Sequence, residues 1–145
     1  MIALLDVNVL VALFDPAHGN HEAAHRWFAD QRPFGWATCP LTENGLVRVV
    51  SNPAYPGRRT GVEDAVNRLG LFRQSGDHSF WPDSVSICDP SLVRLRRLGG
   101  HRQVTDVYLL LVAVRNGGRL ATFDRAIPLR AVAGARPEQL VVIGA

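Results

Sequence analysis

The acids are the residues of this sequence most in need of a chemical reason. The chain opens "MIALLDVNVLVALFD", with Asp6 inside the apolar run and Asn8 two residues on. A charge taken out of water must be neutralised, partnered or bound to a cation. Three more acids stand beside apolar segments: Glu43 in "LTENGLVRVV", Asp106 at the head of "TDVYLLLVAV" and Asp124 closing "RLATFD". Each of these three has a plainer role open to it, as a helix cap, a turn residue or a solvated side chain. Asp6 has none. If the four converge, their charges repel and raise one another's pKa unless a divalent cation neutralises them. All-oxygen ligation selects hard ions, Mg²⁺ or Mn²⁺. Such a site polarises a phosphodiester oxygen and lowers the pKa of a bound water. No histidine lies in these four motifs and no nucleophilic serine signature accompanies them, so water is the expected nucleophile.

Convergence depends on the elements that carry the acids. Ile2 to Leu5 reads as a buried strand and Val7 to Phe14 as a helix ended by Asp15-Pro16. A second helix is expected from about Asn20 to Gln31, with Ala23, Ala24, Trp27 and Phe28 on one face. "FGWATC" reads as a strand, after which Thr38 caps a helix with Pro40 in its first turn. "SNPAYPGRRTG" is a loop, followed by an amphipathic helix from Val62 to about Gln74. "SFWP" and "VSIC" are weaker strand-like pieces, and "PSLVRLRRLGG" predicts a short helix ended by Gly99 and Gly100. "VTDVYLLLVAVRNGG" is apolar enough to be a central buried helix, and "RLATFD" and "LVVIG" are the last strands. Strands alternating with helices imply a parallel sheet sandwiched between helices, an α/β class, with "IALL" and "LVVI" buried on both faces. Ligands of open α/β sheets bind at the carboxyl ends of the strands. Asp6 and Asp124 fall at that edge, and helices entered from it begin there with Glu43 and Asp106.

A competing pattern is "HEAAH", His21 to His25, which matches the HExxH motif of zinc proteases. A third ligand should follow the helix, yet the next segment is the turn-rich "QRPFG" that leads into a strand, and Glu43 is claimed by the acid cluster. The expectation is therefore two surface histidines on a helix packed through Trp27 and Phe28. The third reading is a non-catalytic domain that binds RNA or protein.

The length of 145 residues, 47% of them hydrophobic, predicts one domain over 1–145 with a real core. The opening lacks the basic start of a signal peptide, and no stretch reaches the roughly 18 apolar residues of a membrane span, so a cytoplasmic protein without membrane contact is expected. Cys39 and Cys88, far apart and outside any CxxC pattern, are expected to be reduced, buried thiols. All 16 basic residues are arginine, and the sequence pI is about 9.5. Base composition accounts for that choice as readily as function does, but guanidinium also suits forked phosphate contacts. With four of the 13 acids in a metal site, 16 arginines face nine acids, a balance of +7 that attracts a polyanion. Arg58 and Arg59, in the loop after the Glu43 helix, are the RNA-binding candidates.

"LLDVNVLVAL", "LTENGLVRVVSNP", "HRQVTDVYLLLVA" and "LATFDRAI", in order over nearly the whole chain, resemble the successive motifs of PIN-domain nucleases, in particular VapC-type toxins of bacterial toxin–antitoxin pairs. After Asp106 come the bulkier Val107 and Tyr108, and no second acid lies close to Asp124. The resemblance implies an α/β/α sandwich, a homodimer, and a Mg²⁺- or Mn²⁺-dependent endoribonuclease leaving 5′-phosphate and 3′-hydroxyl ends. It implies active-site roles for Asp6, Glu43, Asp106 and Asp124, with Asn8 and Thr122 as polar support. It also implies a small antitoxin partner, for which the helices at 20–31 and 62–74 offer an apolar groove.

Overall fold

Five short strands, all parallel, form one sheet in the order β3-β2-β1-β4-β5. The computed structural model describes residues 1–144. In chain order the elements are β1 (Ala3–Leu5), α1 (Val7–Phe14), α2 (His21–Gln31), β2 (Trp36–Thr38), α3 (Pro40–Ser51), α4 (Val62–Gln74), β3 (His78–Phe80), α5 (Val104–Arg115), β4 (Arg119–Thr122) and β5 (Leu140–Val142). The chain builds outward from β1 through β2 to β3, then crosses back to lay β4 on the other side of β1. The strand order therefore reverses between β1 and β4, the position at which an open α/β sheet presents a crevice.

The central strand is buried on both faces because its residues alternate between two cores. Ala3 and Leu5 pack with α1, α2, α3 and α4, while Leu4 packs with α5 and the segment around Val132. Trp36 and Ala37 divide in the same way, as do Ala121 and Leu120. Helix α5 is buried from Leu109 to Ala113, as its composition predicts. Helix α3 approaches α1 closely at Gly45, where a Cβ would come 2.6 Å from a methyl of Val7. That contact packs the second turn of α3 against the first turn of α1, and hence Glu43's helix against Asp6's.

Several local expectations are corrected. The cap of α3 is Cys39, not Thr38: the residue before Pro40 is forced into extended backbone, and Thr42 completes a capping box with it. "VSIC" forms no strand, since side-chain bonds such as Ser86 Oγ accepting from the Cys88 amide compete with a ladder. "PSLVRLRRLGG" is helical only as one 3₁₀ turn, Leu95–Arg97. Val93 instead makes an antiparallel bridge to Val132, with the Arg94 amide donating to the Ala131 carbonyl at 2.8 Å, which holds the chain extended and buries Val93. Strand β5 is half-buried rather than enclosed, because it is an edge strand with β4 on one side only. Both cysteines are free, but Cys88 is exposed.

Candidate active site

Asp6 follows β1 directly and occupies the N-cap position of α1, where its carboxylate makes no capping hydrogen bond. It is 5% exposed and accepts a 2.7 Å hydrogen bond from the Thr122 hydroxyl at the end of β4. That hydroxyl accepts in turn from the Asp124 amide at 3.1 Å. Thr122 thus ties the ends of the two strands between which the sheet order reverses. Asp124 lies two residues past β4 and partly fulfils the turn role open to it, its Oδ1 accepting from the Ala126 amide at 2.7 Å. Asp106 enters from α5, in the first turn but beyond the cap, which is Gln103.

The electrostatics follow from this packing. Burial pushes the Asp6 carboxyl above its ordinary value; the Thr122 hydrogen bond opposes that rise and the charge of Asp124 adds to it. Asp106 is pushed up to about 7, first by burial, then by the charges of Asp6 and Asp124 and by a hydrogen bond with Asp124. Three aspartates from the ends of β1 and β4 and the start of α5 therefore share one electrostatic site. The chain places no arginine in ion-pair contact with any of them among the described residues.

Glu43 is held differently. Its Oε2 accepts from the Thr38 hydroxyl at 2.6 Å and lies 3.2 Å from an Arg73 guanidinium nitrogen of α4. Thr38 is also 2.8 Å from His78 Nε2. A hydroxyl has one proton, and the Glu43 carboxylate needs it, so His78 donates to Thr38 and Thr38 to Glu43. His78 is pushed down to about 4 by burial and then by the Arg73 charge, and its ring is neutral at ordinary pH.

The donor set suits a hard divalent ion, since it is made of carboxylate oxygens that repel one another in its absence. Among the described residues no group of three His, Cys, Asp or Glu is already closed to metal-binding spacing.

The PIN domain family profile matches residues 3–134. The chain belongs to the PIN-domain family. It is 46% identical over 143 residues to Ribonuclease VapC44 of Mycobacterium tuberculosis, covering 99% of this chain and 100% of that one. To Ribonuclease VapC39 of the same organism it is 45% identical over 134 residues, 92% of this chain and 96% of the relative. Within the PIN domains it is thus a VapC-family chain. The crystal structure of M. tuberculosis VapC20, a sarcin–ricin loop cleaving toxin, shares the fold with a TM-score of 0.64 at 16% identity, over 93% of this chain and 99% of that one.

Other predicted residues of this PIN domain fall elsewhere. Asn8 is exposed on the first turn of α1. Arg58 and Arg59 line a cavity of about 330 Å³ with Phe14, Tyr55, Thr60 and Arg68. It lies at the far end of α1 from Asp6, about 12 Å away along that eight-residue helix. His21 and His25 are not merely surface residues: His21 Nδ1 bonds the Ala12 carbonyl at 2.7 Å and His25 Nε2 the Leu13 carbonyl at 3.1 Å. With Arg68 on the Phe14 carbonyl at 3.0 Å, they satisfy three successive carbonyls at the end of α1. One ring nitrogen of each histidine is therefore spent on backbone, which accounts for "HEAAH" structurally. Arg73, Thr38 and His78 were missed as members of this edge, since nothing in local sequence links them to Glu43.

Proposed function

We propose that this chain is a Mg²⁺- or Mn²⁺-dependent endoribonuclease acting as the toxin of a toxin–antitoxin pair. The observation that carries this is the buried Asp6 carboxylate, set against Asp106 and Asp124 at the strand-order reversal with no cation in ion-pair contact among the described residues. Asp6, Asp106 and Asp124 would hold the ion, and Glu43 would complete the four-carboxylate site. A bound divalent ion supplies Lewis-acid chemistry, polarising the scissile phosphodiester and activating water for in-line attack. Thr122 orients Asp6 through its hydroxyl and fixes Asp124 through that residue's amide. The arginine-rich surface attracts the RNA backbone, with Arg58 and Arg59 as outlying phosphate contacts and Asn8 as a polar group at the exposed rim of the site. RNA as substrate, an antitoxin as partner, a homodimer and a cytoplasmic setting are supported by kinship with proteins named VapC ribonucleases. No helix among the described residues is long and apolar enough to cross a membrane.

The test is incubation of the purified chain with a mixed RNA pool, with Mg²⁺, with Mn²⁺ and with EDTA. Cleavage should need either ion, vanish in Asp6→Asn and persist in His21→Ala. An RNA mobility shift without cleavage would favour a binding domain. Activity that survives Asp6→Asn would sink the metal-site reading, and activity lost in His21→Ala, kept in Asp124→Asn and restored to the EDTA-treated chain by Zn²⁺ would favour the zinc alternative.

A further inference from the structure

The acid edge carries its charge unevenly. Among the described residues the three aspartates have no cation in ion-pair contact, whereas Glu43 is paired with Arg73. The geometry of that pair is specific: one guanidinium nitrogen, Arg73 Nη1, lies 3.4 Å from Glu43 Oε1 and 3.2 Å from Oε2. It sits nearly astride the carboxylate, where a cation chelated by both oxygens would lie. The Thr38 hydroxyl, itself 2.8 Å from His78 Nε2, also donates to Oε2 at 2.6 Å, so a turn of the carboxylate away from Arg73 would break that bond. The same guanidinium lies over Phe80 while it pairs with Glu43, its carbon 5.1 Å from the ring centre. The Arg73 side chain is 38% exposed and that of Glu43 18%, so the pair is an openable contact and not a buried lock.

We propose that Arg73 is a positioning residue that governs metal occupancy at Glu43: it stands in for the ion in the resting chain, and Glu43 joins the aspartates as a metal ligand only when this ion pair opens. The proposal rests on the metal-dependent reading of the aspartate site. It makes the affinity for the ion a competition between the metal and an internal guanidinium.

The experiment is a direct titration of the full chain with Mn²⁺, followed by electron paramagnetic resonance and independent of RNA cleavage. Arg73→Gln keeps most of the stem over Phe80 but removes the charge, and should tighten Mn²⁺ binding about two- to fivefold, the worth of a partly exposed ion pair. Arg73→Lys keeps the cation and should stay near the wild-type value. The deciding comparison is the Glu43→Gln background, in which Arg73→Gln should change nothing, because the ligand it competes for is gone. Unchanged or weaker binding in Arg73→Gln overturns the proposal. So does equal tightening with and without Glu43, which would mark a general charge effect. Asp6→Asn is the control for the underlying reading: if it binds Mn²⁺ normally, the aspartate site is at fault, whatever Arg73 does.

Discussion

Asp106→Asn should stabilise the metal-free protein in one pH range and not in another. Asp106 binds its proton up to about pH 7 in the fold, against an ordinary value of 3.8. At about 1.4 kcal/mol per pH unit, that rise corresponds to roughly 4 kcal/mol if water were excluded. Asp106 is only half-buried, and screening by water reduces the figure to on the order of 1–2 kcal/mol. An acid whose pKa is raised by folding binds more protons in the folded state than in the unfolded one between those two values. Stability therefore falls as pH rises from about 4 to about 7, and the whole penalty is present above that. Asparagine has nearly the same shape and no proton to lose, so it escapes the penalty. In EDTA near pH 8 the variant should melt higher by about 2–8 °C, taking about 2–4 °C per kcal/mol for a chain near this length. Near pH 4 the two proteins should melt within a degree or so of each other, because both are then neutral at this position. Mn²⁺ at the higher pH should raise the wild-type midpoint and leave the variant almost unmoved, since an ion that binds only the folded state stabilises it. Differential scanning calorimetry reads all of these. A variant that melts below wild type in EDTA near pH 8, or a difference that does not change with pH, would refute the placement of Asp106 among like charges.

Thr122→Val removes the hydroxyl that bonds Asp6 and should weaken Mn²⁺ binding and cleavage by about 10- to 100-fold, as losses behind metal ligands do, with Thr122→Ser restoring most of it. An unchanged Mn²⁺ affinity in the valine variant would mean that Asp6 needs no such support. Replacing Arg58 and Arg59 together with alanine should weaken RNA binding and lower the magnitude of the salt slope by about 1 for each phosphate no longer neutralised, with Mn²⁺ affinity unaffected. A salt slope equal to wild type in filter binding would take this loop off the RNA path.

Asp6 was legible from the chain alone because a carboxylate in "IALLDVNVL" has few plainer explanations, and Asp124 and Asp106 because topology fixes where a strand ends and the next helix begins. The partners that organise them were legible in unequal degree. Thr122 lies two residues before Asp124, so strand alternation carries it to the same edge. Arg73 lies 30 residues from Glu43, and no periodicity or spacing rule connects one turn of α3 with the last turn of α4. "HEAAH" shows the opposite failure, a strong local pattern serving a purpose invisible in sequence, because the groups it meets are backbone carbonyls at the end of α1. The same blindness to backbone partners explains the misread "PSLVRLRRLGG", whose helical spacing lost to a bridge with Val132.

The contact at Gly45 connects the legible and illegible parts of the site. Glycine lowers helix propensity by about 1 kcal/mol relative to alanine, so a helix formed on local preference alone would gain from replacing it. It is tolerated because a Cβ there would press into Val7, the first residue of α1. A side chain at this position would force α3, α1 or the Val7 methyl to shift, and Glu43, two residues earlier on α3, and Asp6, next to Val7, lie on the two sides of that contact. The close approach of α3 to α1 at Gly45 thus helps to place the guanidinium-paired carboxylate relative to Asp6. That makes the geometry of the edge a property of helix packing as much as of the acids themselves.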